Sequence, residues 1–66
     1  METKILSENT IWKVELIDSN EIKIHGECKT SSMYIVLIDN KYYYYGSNYI
    51  LPKYINKIVE NYLPIK

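Results

Sequence analysis

The sequence predicts an α+β fold: a small antiparallel sheet, or a partly open barrel, of about four strands with one C-terminal amphipathic helix. Three observations carry the prediction. Two short segments, 10–18 and 21–27, alternate apolar and polar side chains. A continuous apolar run, 33–38, returns through Asp39-Asn40 into four successive tyrosines, Tyr42 to Tyr45. After Gly46-Ser47-Asn48 the hydrophobic period changes from that of a strand to that of a helix.

Residues 1–9 carry no clear period and read as a tail or a short edge element; residues 10–46 hold the antiparallel strands. In the first strand Trp12, Val14 and Leu16 share one face, with Lys13 and Glu15 on the other. Asp18-Ser19-Asn20 is a turn cluster. The second run places Ile22 and Ile24 inward and Lys23 and His25 outward, so the two runs form a hairpin. Gly26 to Ser32 is small and polar and reads as a loop or a frayed strand end.

The next hairpin sorts its side chains by parity. With a two-residue loop at Asp39-Asn40 or Asn40-Lys41, one face holds Met33, Ile35, Leu37, Tyr42 and Tyr44. The other holds Tyr34, Val36, Ile38, Tyr43 and Tyr45. A two-residue slip preserves this partition, whereas a three-residue loop breaks it. Asn and Asp tolerate the positive φ that such a loop needs.

Helix character spans 51–63. Pro52 suits the first turn, where its missing N–H is no loss. Ile55, Ile58, Val59 and Tyr62 fall on one stripe, with Leu51, Tyr54 and Leu63 at its edges. Lys53, Asn56, Lys57, Glu60 and Asn61 fill the opposite side, and Pro64 ends the helix. Strand order followed by a terminal helix resembles, at the level of topology, the chromodomain-like and SH3-like small barrels. That resemblance implies a partly open SH3-like barrel and assigns no residue a role, since fold does not fix function.

Sixty-six residues make one domain, near the lower limit for folding without help. Cys28 is the only cysteine, so no disulfide framework is available, and a lone thiol suits a reducing, cytoplasmic setting. Ile, Lys, Asn and Tyr make up half the chain while Ala, Arg, Gln and Phe are absent. The abundant residues mostly have AT-rich codons, which suits a phage or other mobile element. The net charge is zero, with eight Lys against eight acidic residues, and no Arg offers a bidentate fork. A small nucleic-acid-binding barrel, whose aromatics would stack on bases, is therefore a secondary reading. No stretch resembles a signal-peptide core or a membrane span, so no membrane association is expected.

His25 and Cys28 are the only candidates for a nucleophile–base pair. Three residues apart, they point to opposite faces of a regular strand unless Gly26 forms a bulge. No phosphate loop, metal-ligand set or paired carboxylates accompany them, so no catalysis, cofactor or metal is expected. The tyrosines are the strongest departure from an average composition. Some replace the missing Phe in the core, but a single helix covers only one face of the hairpin, and each buried phenol needs a hydrogen-bond partner. Tyrosine is enriched at protein interfaces because it joins a rigid apolar ring to a polar tip. The expectation is a non-enzymatic binding or inhibitory protein whose interface includes Tyr34, Val36, Tyr43 and Tyr45. The partner is a protein target or, in a third reading, a second copy of the chain forming a structural subunit.

Overall fold

Alternation within 13–25, and the apolar run that turns at Asp39-Asn40 into the tyrosines, both produce strands, and one further strand precedes them. The computed structural model describes residues 3–26 and 32–66. In chain order these form β1 (Lys4–Glu8), β2 (Lys13–Asp18), β3 (Glu21–His25), β4 (Ser32–Ile38), β5 (Lys41–Gly46) and α1 (Lys53–Tyr62). Every strand is antiparallel to its sequence neighbour, and the sheet runs β1-β2-β3-β4-β5. This is a meander with β1 and β5 at opposite edges. The structure is an open sheet of five strands, not an SH3-like barrel of about four: the two edge strands do not pair with one another.

The additional strand escaped the periodicity argument for a local reason. Ile5 pairs with Glu15 and Ser7 with Val14, so the register shifts across Leu6. An extra residue in one strand flips the alternation half-way along it, leaving no period to read. After β1, the Asn9 side chain accepts hydrogen bonds from the N–H groups of Ile11 and Trp12 (2.9 and 2.8 Å). Its amide also donates to the Tyr54 hydroxyl on α1 (2.8 Å), fastening the first turn to the helix.

The turn between β4 and β5 is Asp39-Asn40, with Ile38 paired to Lys41. Both turn residues have positive φ (52° and 64°), the backbone that matches a two-residue loop to the twist of its strands. Parity follows from this register. Met33, Ile35, Leu37, Tyr42 and Tyr44 lie on the side that meets the helix, and Tyr34, Val36, Ile38, Tyr43 and Tyr45 on the other. At the other turn, Asp18 accepts the Ser19 N–H at 2.7 Å. Asn20 reaches β4: its carbonyl accepts the Leu37 N–H (2.8 Å) and its side chain donates to the Leu37 carbonyl (3.2 Å).

Core residues come from three strands and the helix: Val14, Ile22, Ile24, Met33 and Ile35 from the sheet, Ile55 and Val59 from α1, and Leu63 just beyond it. Pro52 caps the helix with extended backbone, and its carbonyl accepts the N–H groups of Ile55 and Asn56. The polar side is as predicted, since Lys53, Asn56, Lys57, Glu60 and Asn61 are all exposed. The apolar stripe is rotated from the one predicted. Leu63 is buried and Ile58 only half-buried, while Tyr62, placed on the stripe by spacing, is exposed. The helix closes with the Leu63 N–H donating to the Val59 carbonyl (2.7 Å), and that last turn directs Leu63 into the core. Tyr62 turns outward, its ring beneath the Lys4 ammonium at 5.8 Å. Trp12 packs at the margin of the core, edge-on to Tyr49 (centroids 5.8 Å, 89°), and Gly26 lies against both rings. A Cβ on Gly26 would sit 3.1 Å from the Tyr49 ring.

Candidate aromatic interface

The sheet side away from the helix is built by cross-strand rows. One row runs Ile5, Glu15, Lys23, Tyr34, Tyr45 from β1 to β5. A second contains Glu21, Val36 and Tyr43. The four residues expected at an interface are thus two directly paired couples, Tyr34 with Tyr45 and Val36 with Tyr43. Tyr43 is 50 % exposed and Tyr45 51 %, whereas Tyr34 and Val36, one strand inward, are half-buried. Ile38 extends the patch toward the turn and is exposed.

The rings of Tyr34 and Tyr45 stack with centroids 4.9 Å apart and planes within 7°. Lys23 stands over the Tyr34 ring at 5.8 Å. The Tyr45 hydroxyl donates to the Glu21 carboxylate. That hydrogen bond, with smaller effects of burial and of the neighbouring charge, pushes the Tyr45 pKa from 10.0 up to about 12. Each contact removes rotamer freedom before any partner arrives, and such ordering otherwise counts against binding. Glu21 and Lys23 were not singled out by sequence reasoning. Their outward parity was readable from Ile22 and Ile24. Their place beside Tyr45 and Tyr34 depends on how β4 registers against β3 across the connection between them, and no local pattern sets that.

Tyr42 and Tyr44 share the helix side of β5 yet differ in environment. Tyr42 is half-buried, donates its hydroxyl to the Leu63 carbonyl, and has its pKa raised by burial and then by Glu60 and Tyr44. Tyr44 is 59 % exposed. Two open clefts flank them. One of about 350 Å³ lies between the end of β5 and Leu51 and Asn56; another of about 300 Å³ is lined by Tyr42, Glu60, Pro64 and Ile65.

The other pair singled out, His25 and Cys28, cannot be assembled here because Cys28 lies outside the described residues. His25 was expected to be exposed; it is half-buried between neighbouring strands. Its Nδ1 is 3.1 Å from the Ser32 hydroxyl, and its Nε2 is 3.8 Å from Glu15, which also pairs with Lys13 at 3.3 Å. At 3.8 Å the carboxylate is outside hydrogen-bond range of the imidazole. These side chains tie β2, β3 and β4 together on the polar part of the outer side.

Among the described residues, no helix is long and apolar enough to cross a membrane. Compared with protein-family models, with curated proteins and with solved structures, the chain shows no match.

Proposed function

We propose that this is a non-enzymatic protein-binding or inhibitory protein, which recognises another protein through the outer side of the sheet at Tyr34, Val36, Tyr43 and Tyr45. The observation that carries this reading is the pre-ordered aromatic patch: Tyr45 stacked on Tyr34 and hydrogen-bonded to Glu21, beside the half-exposed Tyr43. The helix occupies the aliphatic side, so these rings stabilise the monomer core less than their size allows. Rigid aromatics with wet hydroxyls bury large area on binding at small entropic cost. Lys23 and Glu21 beside them give a mixed-charge rim, the composition of a protein-binding surface and not of a nucleic-acid groove.

The test is quantitative capture from cell lysate with immobilised wild type, Tyr43→Ala/Tyr45→Ala and, as control, Tyr62→Ala on the helix. The double variant is expected to weaken binding of the captured protein by about 2 kcal/mol or more, a hot-spot loss. Tyr62→Ala should retain it. Equal capture by all three refutes the reading, as does salt-sensitive retention of nucleic acid in place of protein.

A further inference from the structure

We infer that two copies of the chain join edge to edge through β5, in antiparallel register with Tyr43 opposite its symmetry mate, to form one continuous ten-stranded sheet. The inference goes beyond the face-binding role proposed above and stands on different groups: the backbone of β5, and Tyr44 with the cleft it faces.

The backbone of β4 decides which groups of β5 are free. Leu37 directs its N–H and C=O toward Asn20, on the β3 side. Alternation then turns Tyr34, Val36 and Ile38 toward β5, bonded to Tyr45, Tyr43 and Lys41. The main-chain groups of Tyr42 and Tyr44 are left pointing off the sheet edge. Exposed edges of this kind are templates for strand addition, and proteins that avoid it blunt them with charges, prolines or bulges. The opposite edge is blunted: β1 carries a bulge between Ile5 and Ser7 and charges at Lys4 and Glu8. β5 has a regular register, no proline, and a single charge, Lys41, at its start.

Two features select a second copy as the occupant. Gly46 has φ of +88°, so the extended part of β5 is residues 41–45, whose centre is Tyr43. A two-fold axis there sets Tyr42 against the mate's Tyr44 as a hydrogen-bonded pair, and Lys41 against the mate's Tyr45. The exposed ring of Tyr44 meets the mate's 300 Å³ cleft, where Pro64 and Ile65 offer apolar wall and Glu60 an acceptor for its hydroxyl. Each contact occurs twice, as an isologous interface requires. Pairing β5 to β1 of a next copy would build an open chain instead, and the β1 bulge interrupts that ladder. The outer sides of the two copies form one surface, doubling the aromatic patch.

Sedimentation equilibrium over a concentration series tests this on the full chain. Wild type is expected to dimerise. Tyr44→Lys, folded by circular dichroism, should raise the dissociation constant about thirtyfold or more, the scale of one interface hot spot. Ile65→Glu, in the wall of the mate's cleft, should weaken the dimer likewise. A wild type that stays monomeric at its highest soluble concentration overturns the inference. So does a dimer indifferent to both Tyr44→Lys and Ile65→Glu. Tyr44→Lys leaves Tyr34, Val36, Tyr43 and Tyr45 in place, so a monomeric variant that still captures its target would separate the two proposals.

Discussion

Replacing Ile55 by alanine tests how the helix holds the sheet. Ile55 is completely buried, in one cluster with Val14, Ile22, Ile24, Met33 and Ile35, and it reaches that cluster from the first turns of α1. Ile→Ala at a buried site costs about 2–5 kcal/mol, more where the surroundings cannot collapse into the void. A helix tied near its start by the Asn9–Tyr54 hydrogen bond and at its end by buried Leu63 cannot easily shift to fill the space, so the upper half of that range applies. Domains carry roughly 0.05–0.15 kcal/mol of stability per residue, which for 66 residues is about 3–10 kcal/mol in all. The substitution therefore removes at least about a third of the stability, and each kcal/mol lowers Tm by roughly 4–8 °C at this size. Ile58, mid-stripe by spacing but only half-buried, should cost about half as much when truncated. Urea denaturation followed by circular dichroism measures both. If Ile55→Ala costs less than about 1 kcal/mol, or no more than Ile58→Ala, the helix does not pack as described.

Gly46→Ala should destabilise the β4–β5 hairpin, because φ is +88° and the added Cβ would lie 2.3 Å from the Ser32 carbonyl oxygen. The left-handed backbone alone costs about 1–2 kcal/mol, and a fall smaller than that in urea denaturation would refute the geometry. Tyr45 predicts behaviour in alkali. Its folded pKa is about 12 against an ordinary 10.0, so its contribution to stability is complete below pH 10 and is lost as pH rises through 12. In a Tyr42→Phe background, which removes the other raised phenol, phenolate absorbance should show Tyr45 ionising late, and Glu21→Gln should return it toward the ordinary value. Persistence of the late transition in that variant would rule out Glu21 as its cause.

Where an outcome depends on neighbours in sequence, the chain's own pattern determines it. The two-residue turn at Asp39-Asn40 and the pleat together decide that Tyr43 and Tyr45 share a side with Val36, whatever else the protein does. The helical spacing from Ile55 to Leu63, bounded by Pro52 and Pro64, likewise sets a polar side that the structure reproduces residue by residue. Tertiary structure decided the rest. β1 was unreadable because its bulge reverses the alternation, and Tyr62 was misplaced because the last helical turn brings Leu63 inward instead. The open edge at β5, the Glu21 acceptor for Tyr45, and the contrast between covered Tyr42 and exposed Tyr44 all depend on strand order, inter-strand register and where the helix ends. Those are settled by burying one aliphatic face under one short helix, a balance struck over the whole chain that leaves no trace in any local window of sequence.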